Sequence, residues 1–216
     1  MTPKKNIWDK IYKNLPDKNI PWEQESLEKT KPTSLMFSLF TKYLQNGRVL
    51  DIGCGRGQYS FFLKKHGYTP TGIDVSSTAV RQAEKRVKGV EFKVADALEI
   101  PFKNEYFDGT IDIGVFHYLN KKNASKYIKE IARVLRKGGV YGFFNFSDDD
   151  PACKSVRHGS MSRLGVSVYF STQEYINSLF SKYFDLKNLQ KITWGSSTSR
   201  SANNIHSAWC VIAIKK

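Results

Sequence analysis

From residue 48 to residue 147 the chain alternates between short apolar runs and amphipathic stretches. RVLDIG (48–53), TPTGIDV (69–75), VEFKVAD (90–96), YFDGTIDIGVF (106–116) and VYGFFNFS (140–147) read as strands. QYSFFLKKHG (58–67), SSTAVRQAEKRV (76–87) and ASKYIKEIARVLRKGG (124–139) carry the helical spacing of apolar residues. The first of these helices closes on a glycine, the second opens on Ser76 or Ser77 as N-cap, and the third stops at a Gly-Gly pair. Strict strand–helix alternation leaves few folds: parallel βαβ units in a sheet covered on both faces. The pattern then changes. A helix over 172–183 is followed by two strands, DLKNLQKITW (185–194) and SAWCVIAIKK (207–216), with only a polar loop between them. Two strands in succession predict an antiparallel pair at one side of the sheet. Ahead of the alternation, SLMFSLFTKYL (34–44) is helix-periodic and NLPDKNIPWE is punctuated by two prolines. The division expected is an N-terminal helical cap or lid over 1–46 and one α/β domain over 47–216.

The turn between the first strand and its helix reads VLDIGCGRGQYS (49–60). In an open α/β sheet, ligands bind at the carboxyl ends of the strands. Glycine there admits positive φ and lets a ligand approach the backbone. The dinucleotide fingerprint is G-x-G-x-x-G. Here Gly53 and Gly55 are followed by Gly57, one residue early, and Asp51 precedes the turn. A carboxylate is a poor neighbour for a pyrophosphate and a good one for an ammonium group. The pattern D-x-G-x-G-x-G therefore points to a ligand with a cationic end and no phosphates.

With these residues the sequence resembles the class I S-adenosylmethionine-dependent methyltransferases. GIDVS, VADALEIPF, FDGTIDIGVFHYL and RVLRKGGVYGFFNF match further motifs of that family in order and spacing, with Lys137 where proline is common. The resemblance implies a Rossmann-like, seven-stranded, mostly parallel sheet of order 3-2-1-4-5-7-6, with the last strand antiparallel and helices on both faces. It implies S-adenosylmethionine as cofactor and S-adenosylhomocysteine as product. It also implies a set of cofactor contacts: Asp51, Gly53, Cys54 and Gly55 in the turn; Asp74 and Val75 at the ribose; Asp96 and Ala97 at the adenine; Asp112 and Ile113 near the methionine part or the substrate. DIGVFHYL, the F-x-F strand and the Pro21-Trp22 pair are similar to the thiopurine and tellurite-resistance type members, which act on small acceptors. Trp22 is then a candidate to lie over the cofactor. His117, just past the fourth strand, is the candidate general base, with Asp112 beside it. The activity implied is transfer of a methyl group by in-line displacement to a thiol, hydroxyl, amine or metalloid.

Charge and cysteines narrow the alternatives. The net charge is +14, which invites a nucleic-acid partner. The lysines and arginines are spread at helical spacing, however, and no RNA-binding signature accompanies them. A small-molecule substrate is preferred, and RNA or protein methylation and non-catalytic cofactor binding are the alternatives. Cys54, Cys153 and Cys210 are far apart, without zinc spacing, so no metal is expected. No apolar run has membrane-spanning length, and a cytoplasmic protein is expected. Two loops on the cofactor side, 148–170 and GSSTSRSANNIH, hold Arg157, His158, Arg163, Arg200 and His206. Arginines there suit an anionic substrate. Oligomeric state is not legible.

Overall fold

The computed structural model describes residues 3–14, 31–154, 160–161, 166–195 and 205–216. Two helices come first, α1 (Pro3–Asn14) and α2 (Lys31–Tyr43). The alternating region follows: β1 (Gly47–Ile52), α3 (Gln58–Lys65), β2 (Tyr68–Asp74), α4 (Ser77–Arg86), β3 (Glu91–Val94), β4 (Phe107–Asp112), α5 (Lys121–Val134) and β5 (Leu135–Phe146). After it come the short α6 (Pro151–Lys154), a ribbon of β6 (Ser160–Met161) and β7 (Ser167–Val168), α7 (Gln173–Phe180), β8 (Phe184–Gly195) and β9 (Ile205–Lys215).

Seven strands form one sheet in the order β3-β2-β1-β4-β5-β9-β8. The first five are parallel, while β9 runs antiparallel to both β5 and β8. Leaving the two-residue ribbon strands out of the count, this is the expected order, with the antiparallel pair at the expected side. No helix among the described residues is long and apolar enough to cross a membrane.

Each face of the sheet has its own core. On one face α5 and α7 bury Tyr127, Ile128, Ile131, Ile176 and Phe180 against Tyr141, Phe143 and Trp209. On the other, α2 and α3 bury Met36, Phe40 and Leu63 against Val49, Ile111, Val140 and Ile212. Tyr141 and Phe143 face one way and Val140 the other, as the two-residue period of a strand requires. α2 lies close because the sheet is bare beneath it. A Cβ on Gly109 would fall 2.6 Å from Leu44 and 2.7 Å from Phe40, and one on Gly142 3.0 Å from both Met36 and Phe40.

Two element ends differ from the expectation. The strand expected over 106–116 stops at Asp112, because its carboxylate captures the N–H groups of Gly114, Val115 and Phe116 and folds the chain into a 3-10 turn at Phe116–Tyr118. The helix expected to run to Gly139 stops at Val134, and Leu135 already pairs with Phe107 at the start of β5.

α1 crosses to the carboxyl-end loops. Asp9 Oδ1 accepts the hydroxyl of Ser76 (2.7 Å) and the N–H of Thr78 (3.0 Å) at the start of α4. Burial works to raise the Asp9 carboxyl, but these hydrogen bonds outweigh it and hold it below its ordinary value. Ser76 in turn caps α4 by accepting Ala79 N–H at 3.1 Å. Asp9→Ala leaves that cap in place and removes the second one. A loss of about 1 kcal/mol is expected, or a fall of ~2–4 °C in the unfolding midpoint. The measurement is a thermal melt with amide exchange over 3–14; an unchanged melt with full protection of α1 would contradict it.

Candidate active site

The ends of β1, β2 and β4 stand side by side, with Asp51 opposite Gly72 and Ile52 opposite Asp112. Three carboxylates are thereby buried at one edge: Asp51, Asp74 and Asp112. Their surroundings differ.

Asp51 accepts the Ser60 hydroxyl at 2.6 Å. Burial pushes its carboxyl up to about 7; Ser60 opposes this, and the charges of Asp74 and Asp112 add to it. Asp74 accepts Gly55 N–H (3.0 Å) and Ser76 N–H (2.8 Å). Burial raises it to about 6 against those two hydrogen bonds. The glycine turn is thus tied directly to the end of β2. Gly53 and Gly55 have φ of +68° and +52°, and a Cβ would lie 2.2 Å from Val115 in the first case and 2.7 Å from the Tyr12 hydroxyl in the second. No other residue type fits either position without displacing its neighbour. Cys54 is buried, its N–H donates to Ile73 O, and its thiol is pushed well up, first by burial and then by Asp51 and Asp74. It is a packed, unreactive side chain.

Asp112 corrects the sequence expectation. Its Oδ1 accepts Gly114 and Val115 N–H, and its Oδ2 accepts Phe116 N–H and the Tyr127 hydroxyl (2.6 Å). A carboxylate has about four acceptor sites, and the protein fills them all. Asp112 shapes the 114–118 turn and has nothing left with which to face a substrate or accept a proton.

His117 also departs from its expected part. It is buried beside Tyr118 (ring centroids 4.3 Å) and Phe146 (5.0 Å), and Nδ1 has no hydrogen-bond partner among the described residues. Burial pushes its pKa down to about 3. So weak a base takes a proton poorly at neutral pH.

Val75, Asp96, Ala97 and Ile113 are partly exposed at the same edge. Asp96 accepts Leu98 N–H at 2.9 Å and shapes the loop after β3. Pro21, Trp22, Arg157, His158, Arg163 and Arg200 lie outside the described residues. Sequence reasoning placed a helical cap over 1–46 but did not single out Trp8 and Tyr12 of α1. Trp8 meets Tyr118 edge-on at 4.9 Å, and Tyr12 reaches the Gly55 turn with the Arg56 guanidinium 5.6 Å from its ring centroid. The i, i+4 spacing of Trp8 and Tyr12 was the available signal.

Two buried carboxylates raised into the neutral range ask for a cation and for hydroxyl donors. The α-ammonium and ribose of S-adenosylmethionine supply both, so the residues present fit that cofactor. Residues 49–139 match a family of methyltransferase domains. Residues 49–139 thus carry a methyltransferase domain. It is 37% identical over 130 residues to a probable tRNA methyltransferase 9B of Homo sapiens, an alignment covering 59% of this chain and 25% of the relative. It is 31% identical over 112 residues to a fatty-acid O-methyltransferase of Mycolicibacterium smegmatis, covering 50% and 39%. The chain thus spans well under half the length of these two curated relatives. A solved S-adenosylmethionine-dependent methyltransferase of Methanosarcina mazei superposes with a TM-score of 0.70 at 26% identity, over 82% of this chain and 96% of that one. All of these similarities share the domain, and the relatives named act on acceptors as different as tRNA and fatty acids.

Proposed function

We propose that the protein transfers a methyl group from S-adenosylmethionine to a small molecule. The observation that carries the reading is the pair of raised, buried carboxylates, Asp51 and Asp74, at a positive-φ glycine turn. Asp51 holds the ammonium group, and Asp74 the ribose hydroxyls. Gly53, Cys54 and Gly55 present backbone to the cofactor with no side chain in the way, and Val75, Ile113, Asp96 and Ala97 line its adenosine end. When bound, the sulfonium supplies a methyl group already activated for displacement. The remaining work of the protein is to position the acceptor and exclude water. Residues 1–46 form the cap of the 47–216 domain, with Trp8 and Tyr12 closing one side of the site.

A small acceptor is favoured over RNA by the loop after β5. Asp148, Asp149 and Asp150 stand in a row there, at the carboxyl end of the sheet. Asp148 and Asp149 are exposed and are poor neighbours for a phosphate backbone, with Lys191 paired to Asp149 and Asp150 buried behind them. The net charge of +14 and the tRNA-modifying relatives motivate the second reading, methylation of RNA. The thiopurine-type resemblance in DIGVFHYL supports the small-molecule side.

The test is unfolding with and without S-adenosylhomocysteine, followed by transfer of labelled methyl to a small-molecule panel and to bulk tRNA. Ligand at ~100 Kd adds about 2.7 kcal/mol, or roughly 5–10 °C. Label in small molecules alone is the expected result. Label in tRNA alone overturns the acceptor, and no thermal shift overturns the cofactor site.

A further inference from the structure

Beyond His117 the same edge of the sheet continues into β5, β9 and β8. Phe144 and Phe146 alternate onto the face that bears α2, opposite Cys210 and Ala208 of β9. Two residues before Ala208, on that face, is His206, paired with Trp194 of β8. The side chains meet as this register requires: Phe144–Phe146 at 5.7 Å, Phe144–Trp194 at 5.7 Å, Trp194–His206 at 5.5 Å and Phe146–His206 at 6.2 Å between centroids. Phe146 also touches the His117 ring, and so joins this wall to the turn after β4.

His206 is held from behind. Its Nδ1 lies 3.3 Å from Oδ2 of Asp150, and the same oxygen accepts Ser207 N–H at 2.8 Å. The Asp150 side chain is 1% exposed, whereas that of His206 is 31% exposed. A carboxylate only accepts, so Nδ1 is the donor and Nε2 is left to accept. The neighbouring charges are in place around the pair. Asp149 takes the Ser207 hydroxyl and the Lys191 ammonium at 2.8 and 2.6 Å, and Asp148 precedes it.

We infer that His206, oriented by Asp150, is the general base for an acceptor bearing a hydroxyl on a planar aromatic ring, which lies against Phe146 and Trp194. The inference rests on the small-molecule reading above and names its substrate class. The aromatic wall offers ring faces for stacking. A thiol near neutral pH needs no base, while an alcohol does; a built His–Asp pair is of use to the second. In the step, the hydroxyl proton passes to Nε2 of His206. The acceptor oxygen forms its bond to the methyl carbon while the sulfur keeps the electron pair of the broken C–S bond. The imidazolium then returns its proton to solvent. Asp150 is a positioning residue that acts through His206.

Two probes that differ only in the accepting atom, 2-naphthol and 2-naphthalenethiol, test this. With wild-type protein saturated in S-adenosylhomocysteine, 2-naphthol should quench a part of the tryptophan fluorescence that Trp194→Phe removes. The 15N spectrum of His206, assigned with His206→Gln, should show the Nδ1–H tautomer. In turnover, His206→Gln should lower kcat for naphthol by ~100- to 10,000-fold, with KM nearly unchanged. Turnover of the thiol should change little. Asp150→Asn keeps the shape of the pair, and should lose the tautomer and most of the naphthol rate, so the test does not depend on one variant folding. An Nε2–H tautomer, or equal losses for both probes, overturns the base. No naphthol binding while S-adenosylhomocysteine still raises the melting point overturns the aromatic acceptor alone. Absence of that rise points to failure of the cofactor site beneath it.

Discussion

Replacing Asp51 with Asn should make the protein more stable at pH 8 and a much poorer binder of S-adenosylhomocysteine. Burial raises the Asp51 carboxyl to about 7, far above its value in an unfolded chain. Between those two values the folded state binds the extra proton, so stability falls as pH rises through the window. At pH 8 the wild-type fold therefore carries a buried charge that Asn does not have. The same charge is what an ammonium group needs. A hydrogen bond to a charged group is worth ~1.5–3 kcal/mol, so Kd should rise by about 10- to 100-fold. The free wild-type protein should also gain about 1 kcal/mol between pH 8 and 6.5, mostly from Asp51 with a smaller part from Asp74. Below 6.5 the gain should continue at a reduced slope, because Asp51 and Asp74 are protonated there in the folded state alone while one histidine opposes them. His117 is held neutral by burial, with its pKa pushed down to about 3, so the unfolded chain takes up its proton first. Calorimetric titration together with melts across this range checks both signs. A variant that binds as tightly as wild type would remove Asp51 from the cofactor site.

The second large effect is on the fold. Phe40→Ala should cost about 3–5 kcal/mol and lower the midpoint by roughly 6–20 °C. Phe40 is fully buried, and its ring fills the space above Gly109 and Gly142 while packing 6.0 Å from Tyr68. The Tyr68 hydroxyl donates to Leu44 O, pinning the end of α2 to β2. Neither glycine can supply the missing volume, so a cavity remains. A loss below about 1 kcal/mol in a denaturant titration would mean that α2 is only loosely attached to the sheet.

What was legible in the sequence is what short-range chemistry decides. The parallel units followed from the alternation and the antiparallel pair from its break after residue 172, while the strand order was implied by the family resemblance. Ser76 was identifiable as a cap because hydroxyl caps have a local signature, and it does accept Ala79 N–H. Asp51 stood out because an acid just before a glycine turn has few other uses, and Asp74 was implied by the family resemblance. What was not legible depends on partners distant in the chain. Asp112 looks free in DIGVF, yet Tyr127, fifteen residues on, takes one of its lone pairs. His117 looks like a base until Phe146 buries it. His206 and Asp150 are 56 residues apart, and only the β5–β9 pairing joins them. Asp9 acts on a helix whose start is 67 residues away.

The sheet order also has a consequence for how the chain is made. Among the described residues β8 pairs only with β9, and β9 lies between β5 and β8. β8 is synthesised, and leaves the ribosome, before its partner, and the exposed edge of β5 is the place β9 must take. At ~5–20 residues per second, the stretch from the end of β8 to the end of β9 takes about one to four seconds. During that interval the cofactor half of the sheet can close, but β8 is an unpaired strand beside an open edge. A non-native β5–β8 pairing is the trap this order creates. β8 runs parallel to β5 in the finished sheet, so such a pairing would need no reversal of either strand. Translation slowed over 185–204 should then lower the yield of folded protein, whereas slowing upstream of β5 should not.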